Sequence, residues 1–239
     1  MAEIARFKAI RPVRDKVHLV ATKPYYSYKK NVLKAKLQDN PFTFLRIINP
    51  EFNSPIKTKA NSDRRFKLVN ERYHEFIEKK ILIQDQEPKL YLYRQSKGEN
   101  SSVGVIGGAS VKEYLNDDIK KHEATLTTRE EIFTRYLDIV GYNAEPVLIS
   151  YKGNSDINSF ISELVSARSE YEFSTTDLIK HELWILEDKQ AEKFEQLFKQ
   201  IPCTYIADGH HRSASSARLF ESGKNKSFNA RYFLSYVVE

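Results

Sequence analysis

Cysteine, methionine and tryptophan each occur once in the 239 residues. A single thiol, Cys203, excludes an internal disulfide and any cysteine-based zinc cluster, and it suits a reducing, cytoplasmic setting. Glycine and proline number 8 each. Glycine is therefore scarce against its usual share, and each one marks a rare place where the backbone turns sharply or lets a ligand approach. No apolar run reaches the length of a membrane-spanning helix. The opening segment, Met1-Ala2-Glu3-Ile4-Ala5-Arg6-Phe7-Lys8, lacks the apolar stretch of a secretory signal. A block of one charge is also missing. Lys plus Arg is 38 against 32 for Asp plus Glu, and the basic residues fall in scattered doublets such as Lys29-Lys30, Arg64-Arg65, Lys79-Lys80 and Lys120-Lys121. A nucleic-acid surface gathers such charge on one face, so nucleic acid ranks last among the partners, and no membrane partner is expected.

What remains is a chain of 41% hydrophobic and 29% charged residues, enough to form one large domain or two small ones. Short apolar runs at Phe7-Ile10, His18-Thr22 and Phe42-Ile48 read as strands, the last with Arg46 near its centre. Ser27-Leu37 reads as a helix, and 52–60 as a loop. A long helix starts after the cap candidates Asn61 and Ser62, with Phe66, Val69, Tyr73, Phe76 and Ile77 at helical spacing. Leu90-Arg94 and Val103-Gly107 predict a hairpin across a polar turn. Val111-Asn116 predicts a short helix. Thr128-Arg129-Glu130-Glu131 has the form of a capping box opening a helix that Gly141 ends, with Ile132, Phe133, Tyr136, Leu137 and Val140 on its buried side. Strands at 146–151, 182–186, 203–207 and 231–238 alternate with helices at 157–167, from Asp188, and at 210–220. Strands and helices thus interleave with a hairpin among them, which predicts an α+β fold with a mixed sheet. The expected division is an N-terminal α+β part, 1–110, and a C-terminal part, 111–239, with one continuous domain as the alternative.

The richest segment is Ile206-Ala207-Asp208-Gly209-His210-His211-Arg212. A strand passes into a helix with only Asp208 and Gly209 between. The first N–H groups of such a helix have no carbonyl to bind, and the helix dipole adds positive potential there. Phosphate is the usual occupant of that arrangement. Gly209 permits the turn and a close approach. His210, His211 and Arg212 add donors, and the planar fork of Arg212 matches two phosphate oxygens. Asp208 reads either as a helix cap or as a group that takes a proton from a hydroxyl or holds a cation. Two histidines and an arginine in a first turn crowd positive charge where the dipole disfavours it, a cost that a merely capped helix incurs without return.

These residues resemble the signature of the bacterial and archaeal domain-of-unknown-function family 1015. Lys23-Pro24-Tyr25, Phe44-Leu45-Arg46-Ile47, Tyr93-Arg94-Gln95, Gly104-Val105-Ile106-Gly107-Gly108, Lys121-His122-Glu123-Ala124-Thr125, Glu145-Pro146-Val147 and His181-Glu182-Leu183-Trp184 agree in order. Family members often carry Pro-Tyr-Asp where this chain has Pro24-Tyr25-Tyr26, so no role of that aspartate is carried over. They also extend past residue 239, and a truncated C-terminal part is one reading of this chain. The family is similar to the ParB/sulfiredoxin-like superfamily, in which a strand, a glycine turn and an arginine at a helix start bind nucleotide phosphates. Some relatives are free-serine kinases with a related Asp-Gly-His motif. The resemblance implies a ParB/sulfiredoxin-like strand-turn-helix in the C-terminal part.

Other candidates carry two readings each. His122-Glu123 is an exposed polar loop, or it faces the Asp208 turn with Glu123 as general base or cation ligand and His122 on a phosphate. Arg46 faces solvent from a sheet, or meets an anionic ligand. Gly104 to Gly108 lacks the Lys-Ser/Thr ending of a phosphate loop, and close strand packing is the simpler account. His181 and Glu182 read as structural. Burial in a strand would suppress the Cys203 thiolate.

The expected function is transfer of a phosphoryl group from a nucleotide, ADP or ATP with Mg²⁺, to a small hydroxylated metabolite such as free serine. Asp208 or Glu123 would be the catalytic carboxylate or the magnesium ligand. Gly209, His210, His211, Arg212, His122 and Arg46 would hold phosphates. The alternatives are a nucleotide-binding regulator without turnover and a metal-assisted hydrolase.

Overall fold

The computed structural model describes residues 2–55, 57–224 and 227–239. Met1 of the opening segment and Ile56 of the expected 52–60 loop lie outside them. In chain order the elements are β1 (Ile4–Ala5), β2 (Ile10–Pro12), α1 (Val17–Val20), α2 (Lys30–Asp39), α3 (Leu45–Ile48), α4 (Asp63–Glu78), β3 (Leu82–Gln84), β4 (Tyr91–Lys97) and β5 (Asn100–Ser110). They continue with α5 (Val111–Leu115), β6 (Ile119–Lys120), α6 (Thr127–Val140), β7 (Val147–Ser150), α7 (Ser155–Leu164), β8 (Tyr171–Ser174), β9 (Lys180–Ile185), α8 (Asp188–Phe198), β10 (Thr204–Asp208), α9 (His210–Glu221) and β11 (Tyr232–Val238). The fold is α+β with a mixed sheet. No helix among the described residues is long and apolar enough to cross a membrane.

The chain forms two units. The first comprises 1–9, 86–138 and 142–239, and the second 10–85 and 139–141. Residues 86–110 fold with 111–239 because β4 and β5 supply the middle of the large sheet. Its strand order is β6-β10-β7-β11-β5-β4-β9-β8, with β1 pairing β5. The pairs β6–β10 and β7–β11 are parallel, and the rest are antiparallel. Alternation sets one face inward. Leu92, Val105, Trp184, Phe233, Val237, Ile149 and Ile206 are buried against Ile157, Phe160 and Ile161 of α7 and Ala191, Phe194 and Phe198 of α8. The chain of β5 passes close beside β11 at Gly104, where a Cβ would run into the Val237 carbonyl. Gly104 to Gly108 is therefore packed strand and not a phosphate loop.

Two expected strands are helical. The 18–22 segment lies largely in α1, a single turn that buries Val17 and Val20 three residues apart. The 42–48 segment ends in α3. Asn40 Oδ1 accepts from Phe42 N at 2.9 Å, Thr43 Oγ1 accepts from Leu45 N at 3.4 Å, and Leu45 and Ile47 are fully buried. Short polar side chains thus satisfy backbone donors locally and turn the chain into a helix. Strands β1, β3, β6 and β8 carry no periodic signal of their own, being two to four residues long. The long helix α4 forms as its spacing predicts, with Ser62 accepting from Arg65 N. The capping box at Thr128 does not form. α6 begins at Thr127 instead, and the Thr125 hydroxyl donates to the Glu130 carboxylate. Phe133, expected on the buried side of α6, is 41% exposed.

One ion pair ties β4 to β9 on the same face as Leu92 and Trp184. Arg94 and Glu182 face each other across β4 and β9. Arg94 Nε donates to Glu182 Oε2 at 2.7 Å and Nη2 to Oε1 at 2.8 Å. Lys180 Nζ stands 3.0 Å from the same carboxylate, and the Arg94 guanidinium stacks over Trp184. The hydrogen bonds from Arg94 hold the buried Glu182 carboxyl below the usual glutamate range. The unfolded chain takes up that proton more readily, so the pair's stabilisation is complete above about pH 4.3 and is lost as pH falls through the lower folded value. Arg94→Met should cost about 3 kcal/mol in urea denaturation at pH 7, the low end for a broken buried pair because Lys180 stays. In Glu182→Gln the loss of stability on acidification should be smaller than in wild type. Equal acid sensitivity of the two proteins would refute this account.

Candidate functional site

The candidate site is the junction of β10 and α9. β10 pairs antiparallel with β7 until its register shifts between Ile206 and Asp208. Such a bulge re-aims the residues that follow it, and Asp208 leaves the sheet exposed. Gly209 then takes φ +99°, the left-handed region that L side chains avoid, and stands at the N-cap of α9. Arg212 N and Ser213 N both return to Gly209 O, at 2.9 and 3.1 Å. The turn is therefore closed tightly, and the preceding N–H groups remain at the helix entrance.

Short side chains let α9 sink into the unit. Ser213, Ala214, Ser215, Ser216 and Ala217 are all buried. Their hydroxyls turn back on the helix: Ser213 Oγ donates to His210 O, Ser215 Oγ to His211 O and Ser216 Oγ to Arg212 O. Thr134 Oγ1 of α6 also donates to Ser215 O at 3.3 Å.

Arg212 folds back over the turn. Its Nη2 donates to Asp208 Oδ2 at 2.6 Å and its Nη1 to Glu145 Oε2 at 2.9 Å. The guanidinium is thus positioned between two carboxylates, just above the Gly209 Cα. His210 is 5% exposed. Glu123 Oε2 lies 3.3 Å from its Nδ1, and the His122 ring stands edge-on to it with centroids 4.5 Å apart. His211 is half-buried, with the exposed Phe133 ring 6.4 Å away. Three buried side-chain atoms in consecutive residues, His210 Nε2, His211 Nδ1 and Arg212 Nε, have no hydrogen-bond partner among the described residues. Burial pushes the His210 pKa down, and the His122 ring adds in the same direction.

The structure brings together Asp208, Gly209, His210, His211, Arg212, His122 and Glu123. Arg46 is placed differently. It lies on α3 in the second unit, where Nε donates to Leu37 O and Nη2 to Gln38 O and the guanidinium covers the Phe52 ring. Those carbonyls belong to the last turn of α2, a favourable place for a cation. Glu145 had no role in the sequence reading, yet it holds Arg212. It lies two residues before β7, and the pairing of β7 with β10 brings it to the turn. Cys203 is half-buried just before β10, with Sγ 3.4 Å from the Tyr205 hydroxyl. Among the described residues no three His, Cys, Asp or Glu side chains form a metal-ligand set.

A bulged strand, a left-handed glycine and a buried helix of small residues define an α+β protein with a preformed polar turn. The chain belongs to the family described as "Protein of unknown function (DUF1015)", whose model matches residues 4–239. No curated protein and no solved structure matches it.

A Cβ at position 209 would lie 2.9 Å from Arg212 Nε and Nη2. Gly209→Ala therefore adds backbone strain and displaces the guanidinium together. It should lower stability by about 1–3 kcal/mol in chemical denaturation. Gly98→Ala, at φ +58° with open space around it, bears only the backbone cost and should lose less. An equal or smaller loss at 209 would show that Arg212 does not rest on the turn.

Proposed function

We propose that this protein is a phosphotransferase that moves a phosphoryl group from a nucleotide to a small hydroxylated metabolite, with free serine as the leading acceptor. The observation that carries this reading is the run of three buried, unpartnered polar atoms at His210, His211 and Arg212. Leaving such an atom unsatisfied costs about 1–3 kcal/mol each, and whole domains are stable by only about 5–15 kcal/mol. A turn that served packing alone would be expected to replace them with apolar groups. A bound ligand is the partner this reading assigns them: acceptor oxygens suit Arg212 Nε and the helix N-terminus, and a hydroxyl suits a ring nitrogen.

The first N–H groups of α9, with His211 and Arg212, would hold phosphate oxygens. Asp208 and Glu145 keep the Arg212 fork pointed at the turn before anything binds, which lowers the ordering cost of binding. His122 and Glu123 line the same entrance. Acceleration would come mainly from positioning and charge neutralisation, as in other phosphoryl transfers. The carboxylates do not fit a protein-held divalent ion, because Asp208 is paired with Arg212 and Glu123 stands at His210. Mg²⁺ is therefore placed in the substrate complex, on the nucleotide's own oxygens. The serine acceptor and the ADP or ATP donor rest on the likeness of Asp208-Gly209-His210 to the free-serine kinases of the ParB/sulfiredoxin-like superfamily. The reading places the protein in the reducing cytoplasm, which a single cysteine suits.

Two measurements test it. ATP or ADP should raise the melting temperature of the wild-type chain, and Arg212→Met should abolish most of that rise. Incubation with Mg²⁺, nucleotide and serine should yield phosphoserine. Nucleotide binding without transfer would make the protein a regulator, and no response to ATP, ADP or inorganic phosphate would remove the reading altogether.

A further inference from the structure

Three histidines meet at the entrance to α9 in three different settings. His122 is exposed, His211 is half-buried and His210 is 5% exposed. An imidazole in water shares its proton between both nitrogens, whereas a buried one is set by its neighbours. A carboxylate oxygen of Glu123 faces His210 Nδ1 at 3.3 Å. No hydrogen bond joins the two, but a carboxylate oxygen at that distance favours electrostatically the tautomer with the proton on Nδ1. Nε2 then carries a lone pair, and Nε2 is the buried atom that no group among the described residues meets.

Resting on the phosphotransfer reading, we propose that His210 is its proton acceptor, taking the proton of the acceptor hydroxyl at Nε2, and that Glu123 is the positioning residue that sets the tautomer. The step balances. The hydroxyl oxygen forms a bond to the transferred phosphorus, and the bridging P–O bond to the nucleotide breaks, its electron pair leaving with the nucleotide. The hydroxyl proton moves to Nε2, and the imidazolium so formed is compensated by Glu123 until the proton passes to water.

Four neighbours bear on this ring besides its burial. Burial is the largest influence and keeps the ring neutral, and His122 acts in the same direction. Glu123 and Asp208 oppose it, and His211 again favours the neutral form. A neutral imidazole is the form that can accept a proton. Asp208, a second candidate base at the turn, has Oδ2 occupied by Arg212 at 2.6 Å and is exposed.

The test uses the full chain with MgATP and serine. His210→Gln keeps a polar side chain and removes the basic nitrogen. It should lower phosphoserine formation about 100-fold or more, while the ATP dissociation constant measured by calorimetry stays within about threefold of wild type. Glu123→Gln should lower kcat about tenfold with little change in KM. In ¹⁵N spectra of the wild-type protein, His210 should show the Nδ1–H tautomer, and Glu123→Gln should mix the two. Transfer by His210→Gln within threefold of wild type, or a proton resident on Nε2 in wild type, would overturn the proposal. An inactive wild type removes the phosphotransfer reading itself, whereas an active wild type with an equally active His210→Gln removes only the role of His210.

Discussion

Close approach of α9 to its neighbours is the constraint on which the rest depends. A helix can sink this deeply only where its side chains are short, and Ser213 to Ala217 supply five such residues in a row. Their hydroxyls cannot be buried without partners, so they turn back to carbonyls of the same helix. The helix is then anchored from outside by Thr134 and by the pairs of Arg218 with Glu130 and Glu131. With α9 fixed at that depth, its first turn is drawn inward too. His210 is buried because of where the helix lies, and Gly209 must adopt a positive φ because the strand arrives from one side and the helix leaves from another.

The same depth explains why charge at the turn is tolerated. Arg212 brings a cation to the positive end of a helix, which the dipole disfavours by about 0.3–1 kcal/mol. Two charge-assisted hydrogen bonds to Asp208 and Glu145 outweigh that cost in direction, although each carboxylate is more than half exposed and solvent screens such pairs to well under their buried strength. What they provide is chiefly geometry. Glu145 enters from two residues before β7, Asp208 from the end of β10, and the bulge between Ile206 and Asp208 sets the spacing.

Much of this was legible in the sequence where the signal is local. The passage from Thr204–Asp208 to α9 reads from one apolar run, one glycine and one stripe of small residues. Helix α4 reads from its spacing and its Ser62 cap. Local signals misled where an apolar run had two uses. Leu45 and Ile47 sit equally well on a strand's alternate positions and on a short helix, and Asn40 and Thr43 decided for the helix by satisfying nearby donors. Arg46 followed that error: once the segment is helical, its guanidinium lies over the end of α2. Glu145 escaped notice for a different reason. Its role is created by the antiparallel pairing of β7 with β10, some sixty positions along the chain, and no periodicity within either strand encodes a neighbour.

The three histidines show how position in a fold, rather than residue type, assigns chemistry. His122 keeps its water and stays a surface group. His211 is half covered and lies near the exposed ring of Phe133. His210 has lost its water, and one of its nitrogens faces Glu123. Desolvation disfavours the charged form, so burial keeps the His210 ring neutral. A neutral ring with its proton drawn to the nitrogen that faces a carboxylate would present the other nitrogen as a single acceptor. On the phosphotransfer proposal, such an acceptor beside the free N–H groups of a helix would set a base next to an anion site, the pairing that transfer from a phosphate to a hydroxyl requires.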